Sequence, residues 1–267
     1  MPNLDLNNAS EYIGIKRALL ERIIKDGREL ERVKEGRKYV LKSEDIDVWK
    51  QRKQQRLVGL DKNDFIKAFK FAIEINYAGH TRADFGTARQ RSVTQAVENW
   101  TQGALAEIAL AKFIKQKFNV DIELEYRIFE DSIVGQDIVS VKRRGVANPP
   151  RKRISVKSGK ENGMMLIVPV NEVERDERVS DSYVFVRVFY PTDFILRLLR
   201  DLPDISDKKD KIPEFSGSKA EIVGYCPKGE LEKRAVPEAG IEEERYVKPS
   251  GKMHNSDVDW QRFANEL

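Results

Sequence analysis

Two short apolar runs on either side of a basic loop constrain this chain more than any other feature. The first is Ile133-Val134-Gly135-Gln136-Asp137-Ile138-Val139-Ser140-Val141, and the second is Ile154-Ser155-Val156-Lys157-Ser158-Gly159-Lys160. Runs of this length, rich in β-branched residues, predict strands that are covered on both faces and central in a sheet. A charged side chain in such a strand is costly unless it is paired or holds a cation. Asp137 lies in the first run and Lys157 in the second, twenty residues later. The loop between them, Lys142 to Arg153, carries six basic residues and no acidic one. That charge suits a phosphate backbone passing close to the two runs.

A third piece belongs with these two. From Ser92 to Phe118 the pattern is helical, with a weak point at Gly103. Within it, Gly103 to Ala111 is apolar all round except for Glu107, which predicts a buried helix carrying one carboxylate. A buried salt bridge and a metal ligand are both open to Glu107. Further strands are expected over Val120–Tyr126, Tyr183–Tyr190 and Ala220–Tyr225. Further helices are expected over Asp64–Asn76 with Asn63 as cap, over Asp193–Arg200 and over Asp257–Leu267. The basic, Gly-broken segment Gly79–Arg91, with Arg82, Arg89 and Arg91, fits a DNA-facing loop and a solvated connection equally. Residues 203–219 read as loop, and Glu230–Ser256 gives little signal.

Composition removes several classes. The 267 residues leave room for one large domain or two unequal ones. No apolar run is long enough for a bilayer, and the polar start Met1-Pro2-Asn3-Leu4-Asp5 is not a signal peptide, so no membrane association is expected. The single cysteine, Cys226, excludes a disulfide framework and fits a cytoplasmic setting. No GxxxxGK[ST] loop is present, so no nucleotide cofactor is implied. With only His80 and His254 and no cysteine cluster, a zinc finger is not expected. The net charge of +4 falls wholly within residues 1–56, and such a basic front end suggests a polyanionic partner.

That front end has its own pattern. Two short helices are expected over residues 7–15 and 16–26, broken at Gly14 and stopped at Gly27. A hairpin over Glu31–Lys42, turning at Glu35-Gly36, precedes a helix from Ser43, read as its N-cap, to Arg56. Residues 50–62 read as a linker or a continuation of that helix. The stretches Ala9-Ser-Glu-Tyr-Ile-Gly-Ile15, Ile24-Lys-Asp-Gly27, Gly36-Arg-Lys-Tyr-Val40 and Ser43-Glu-Asp-Ile-Asp-Val-Trp49 resemble the excisionase-type winged helix-turn-helix. The resemblance implies that the second helix enters the major groove with Lys16, Arg17, Arg22 and Lys25. It also implies that the wing meets the backbone with Arg37 and Lys38. These residue types suit both phosphate neutralisation and guanine recognition.

A helix with Glu107, a strand with Asp137 and a strand with Ser155-Val156-Lys157 resemble the core of the PD-(D/E)xK nucleases, as in type II restriction endonucleases. The resemblance covers roughly residues 92–190. It implies a restriction-endonuclease-like mixed sheet flanked by helices, cutting DNA with Mg²⁺. Asp137, Glu107 and Val156 would hold the metal, and Lys157 would orient the attacking water and stabilise charge on the phosphate. Ser155 and Lys157 share one strand face, about 7 Å apart. Ser155 departs from the family, which has Asp or Glu there. Glu172 or Glu174 in Pro169-Val-Asn-Glu-Val-Glu-Arg175, or else Glu107, would supply the missing carboxylate. Arg143, Arg144 and Lys160 lie beside this centre as further DNA contacts.

Together these readings give an α/β protein with a winged helix-turn-helix domain over residues 1–57 and a nuclease domain over 58–267. The expected function is that of a Mg²⁺-dependent, sequence-specific endonuclease of the type II restriction class, acting on double-stranded DNA as a homodimer. A structure- or modification-dependent nuclease of the same fold remains open. So does a non-catalytic DNA-binding regulator.

Overall fold

The computed structural model describes residues 3–36, 38–77, 92–127, 137–175, 180–191, 193–200 and 209–267. Arg37, the segment Gly79–Arg91 and the start of the first apolar run, Ile133–Gln136, lie outside the described residues.

The chain begins with β1 (Asn3–Leu4), α1 (Leu6–Ile13), α2 (Arg17–Lys25), β2 (Val33–Glu35), β3 (Lys38–Lys42) and α3 (Ser43–Gln55). Asp5 caps α1 by accepting from the Asn7 and Asn8 N–H groups. Gly14 ends α1 at φ 80°, a left-handed conformation that glycine adopts without steric cost. The expected order of helix, turn, helix, hairpin and helix is therefore present. The strands form one antiparallel sheet in the order β1-β3-β2. Ala9, Leu20, Ile23, Leu30, Leu41 and Ile46 close a small core over it, completed by Met164 from much later in the chain. Ser43 does not cap α3. Lys42 holds that position, and the buried Ser43 hydroxyl has no partner.

Residues 50–62 are not a linker. After α3 comes β4 (Leu57–Leu60), whose Val58 and Leu60 are buried at the edge of the main sheet. Next is α4 (Lys62–Tyr77), capped by Asp61 rather than Asn63, since Asp61 accepts from the N–H groups of Asn63 and Asp64. Helix α5 (Val93–Phe118) runs unbroken through Gly103, with Ser92 capping it through the Gln95 N–H.

The remaining elements are β5 (Asp121–Leu124), β6 (Ile138–Arg143), β7 (Val146–Asn148), β8 (Ile154–Lys160), β9 (Met165–Val168), α6 (Val170–Glu174), β10 (Ser182–Phe189), α7 (Phe194–Leu199), β11 (Ser218–Pro227), β12 (Glu232–Val236), β13 (Ile241–Pro249) and α8 (Asp257–Glu266). The main sheet has the order β4-β11-β10-β8, with β8 and β10 parallel and the other pairs antiparallel. Two three-stranded antiparallel sheets accompany it, β5-β6-β7 and β12-β13-β9.

Double burial explains the apolar character of β10. Val184, Val186 and Val188 pack with Leu105, Ile108, Ala109 and Phe113 of α5, while Tyr183 and Phe185 pack on the other face with Leu166, Val173 and Met253. Arg187 shares that second face and is fully buried. The result is a mixed α/β architecture with α5 as its central helix. Among the described residues, no helix is long and apolar enough to cross a membrane.

Two sequence expectations change here. Asp137 sits in a bend just before β6, not within a strand. Nor are the two apolar runs ladder partners, because β6 pairs with β5 and β7 while β8 pairs with β10. Arg144 and Gly145, at φ 48° and 86°, form a two-residue turn that folds β7 back onto β6. The first part of the basic loop is therefore a hairpin. Residues 230–256, which gave little signal, supply β12 and β13.

Candidate active site

Helix α5, the bend before β6, strand β8 and the short helix α6 converge at one place. Lys157 and Ser155 lie two residues apart on β8 and therefore on the same strand face. Both meet Glu172 of α6: the Lys157 Nζ is 2.5 Å from Glu172 Oε1, and the Ser155 Oγ donates to the same oxygen at 3.3 Å. Asp137 reaches the free edge of β8, where its Oδ2 accepts from the Val156 N–H at 2.5 Å. The Ser155 hydroxyl also lies close enough to Asp137 to lower its carboxyl, so its single proton can serve either of two carboxylates. Because N–H and C=O of one strand residue point the same way, the Val156 carbonyl shares that edge with Asp137.

Glu107 approaches from α5. It feels the charges of Asp137 and Lys157, which places it in the same electrostatic neighbourhood. Desolvation by the dense protein around it, with the negative charge of Asp137 added, holds its carboxyl well above the usual range against the pull of Lys157. Asp137 is also raised. Desolvation leads, Lys157 and the Val156 and Ser155 hydrogen bonds act against it, and Glu172 adds to it. Both residues retain partial contact with solvent. The cluster therefore sets three carboxylates against one ammonium.

Scanned against family models, curated proteins and solved structures, the chain matches none of them. What the cluster can do rests on its own chemistry.

Among the described residues, no group of three or more His, Cys, Asp or Glu is gathered as a ready metal cage. Mg²⁺ rarely uses such a cage, since it is held by one or two carboxylates and keeps several waters. Glu107, destabilised as an anion by burial and by Asp137, and Asp137, destabilised by burial and by Glu172, are the kind of groups that a divalent cation relieves. With the Val156 carbonyl on the same edge, the donor set fits Mg²⁺.

Of the three candidates for the missing carboxylate, Glu107 lies on α5 and the other two lie on α6. Glu172 sits against Ser155 and Lys157, whereas Glu174 turns away to Lys233 at 2.8 Å and to the Tyr246 hydroxyl at 3.1 Å. One residue escaped the sequence reading. Tyr126 has a buried hydroxyl with no hydrogen-bond partner, and burial and the charges of Glu107, Asp137 and Asp64 push that hydroxyl up. Its ring packs edge-on to Phe71 at 5.0 Å, with the Lys67 ammonium 4.6 Å from the ring centre. In sequence it merely ends an apolar alternation, so nothing marked it.

The basic residues divide into exposed and committed. Lys16, Lys25, Lys38, Arg144 and Lys160 are exposed. Arg17 is exposed but bound to Glu21 one turn along α2 and to Asn7 of α1. Arg22 donates to the Asn162 carbonyl at 3.4 Å, in the turn after β8. Arg143 is not presented on a loop, because its guanidinium donates to the Ala264 carbonyl of α8. Lys152 likewise holds Glu266 at 2.6 Å. Arg37, Arg82, Arg89 and Arg91 lie outside the described residues.

Proposed function

We propose that the protein is a Mg²⁺-dependent, sequence-specific endonuclease of double-stranded DNA, of the type II restriction class, with its N-terminal winged helix-turn-helix as reader. One observation carries this reading: Glu172 lies against both Ser155 and Lys157, supplying the carboxylate that the Ser-Val-Lys triplet lacks. Glu107, Asp137 and the Val156 carbonyl would hold the metal, which supplies charge neutralisation on the phosphate and an acidified water. Lys157, fixed by Glu172, orients the nucleophile and meets developing negative charge. Ser155 lies between Asp137 and Glu172 and can give its one hydroxyl proton to either. A homodimer would place one such centre on each strand of a palindromic site.

Incubation with phage-length DNA in Mg²⁺ and in EDTA tests the reading. Discrete fragments only with Mg²⁺ are expected, and Asp137→Asn should abolish cutting while leaving specific binding intact. A smear insensitive to sequence would favour a structure- or modification-dependent nuclease. Binding without cutting by the wild-type protein would favour a regulator.

A further inference from the structure

The N-terminal element group is not strung beside the main body but locked into it. Glu29, just after α2, inserts its carboxylate between Arg187 of β10, the Ser250 hydroxyl at 2.6 Å and the Trp49 indole N–H at 2.8 Å. Arg187 turns its other nitrogens to Glu221 at 3.0 Å and to the Gly163 carbonyl at 2.6 Å. Lys53 and Arg56 of the α3 end join from the N-terminal side, at 3.2 Å from Glu221 and 2.6 Å from the Val223 carbonyl. The backbones also touch, since the Gly251 N–H donates to the Gly27 carbonyl at 2.7 Å. A Cβ at Gly251 would collide with the main chain of Arg28 and Glu29. Met164 inserts into the small N-terminal core.

This lock fixes α2 relative to β8. Arg22 of α2 touches Asn162, five residues beyond Lys157 on a chain that passes through exposed Lys160. Five residues span at most roughly 18 Å. Adding the 3.4 Å hydrogen bond puts the Arg22 guanidinium within roughly 21 Å of the Lys157 backbone. At 3.4 Å per base pair along a strand, that is about six base pairs.

We infer that α2 and the Lys157 centre form one rigid face on a single stretch of duplex, so that the phosphate at the centre lies within about six base pairs of the bases under α2. A reader on a flexible tether would cut at a remote or variable offset; a locked one cuts beside what it reads. The inference rests on the DNA-cutting reading for its substrate, but the lock can be tested without cleavage.

Spin labels on Glu11→Cys of α1 and Gln261→Cys of α8 report the lock, because native Cys226 is buried and stays unlabelled. A single narrow distance distribution is expected, and it should broaden when Gly251→Ala is added. A broad distribution in the unmodified background overturns the inference. Sequencing the cut ends against a hydroxyl-radical footprint reads the offset. A fixed cut inside or within one helical turn of the footprint supports the inference, and a remote or variable cut overturns it. If Mg²⁺ produces no cutting, the nuclease reading falls and the footprint decides. One uninterrupted protected stretch, lost on Lys25→Ala and also on Lys160→Ala, upholds the single face. Protection that Lys160→Ala leaves unchanged overturns it.

Discussion

Replacing Glu29 by glutamine isolates the electrostatics of the lock, because the amide keeps the shape and discards the charge. Burial pushes the Glu29 carboxyl up, but the charges of Arg187 and Lys53, with hydrogen bonds from Arg187 and Ser250, outweigh it and bring it down to about 2. The side chain is only 8% exposed, so solvent screening is slight. Moving a carboxyl from 4.5 to about 2 on folding corresponds to roughly 3 kcal/mol. The sign follows from linkage: the folded value lies below the unfolded one. The contribution is therefore fully present above about pH 5 and is lost as pH falls toward 2. Urea unfolding near neutral pH should find Glu29→Gln less stable than wild type by about 3 kcal/mol. The gap should narrow as pH is lowered, since the wild-type carboxyl then takes up its own proton. A deficit below about 1 kcal/mol, or one that stays constant down to the acid limit, would refute the argument, because an exposed or unpaired carboxylate behaves that way.

Other perturbations separate site from scaffold. Glu107 has a folded value above its unfolded one, so its contribution is present at acid pH and is lost as pH rises. Glu107→Gln should therefore stabilise the protein at neutral pH in EDTA while reducing the rise in melting temperature expected of the wild type on adding Mg²⁺. A melt showing the variant less stable in EDTA, or equally responsive to Mg²⁺, would remove Glu107 from the metal set. Arg143→Ala should cost about 1 kcal/mol in urea unfolding, through the lost bond to Ala264, and leave DNA affinity unchanged. A fall in affinity at constant stability would restore it as a DNA contact.

Elements whose apolar residues obey a single period were legible. Helices α2 and α5 and strand β10 could be read from spacing alone, because each buries a stripe or both faces. The failures have local causes. Strand β4 is four residues with a glycine among them and borders a basic helix end, so it reads as linker. β13 runs through Glu242, Glu243 and Glu244, and its burial begins only at Arg245, so its sheet is made by partners distant in sequence. The turn at Arg144-Gly145 lacks the usual Asn-Gly or Asp-Gly signal, yet it decides that β6 pairs with β7 rather than with the strand of Lys157.

Asp137 and Lys157 meet in one cluster despite that change of pairing for a physical reason. Asp137 need not be in a ladder with β8. It only has to reach an edge that no other strand occupies, and β8 ends the main sheet. A side-chain carboxylate accepting from the Val156 N–H does locally what a neighbouring strand would have done, while leaving its second oxygen available. A full strand there would have satisfied the Val156 carbonyl as well and closed the edge to any ligand. The apolar runs predicted centrality; what the chain builds is an open edge with a carboxylate across it, lysine and serine on its face, and Glu172 above them. Arg187 was hidden for the opposite reason. One charge among the six apolar residues of β10 reads as a lapse in a strand, and its partners Glu29 and Glu221 are 158 and 34 residues away. Only the folded chain brings them within reach, and the same triad that sequence patterning passes over holds α2 beside the centre.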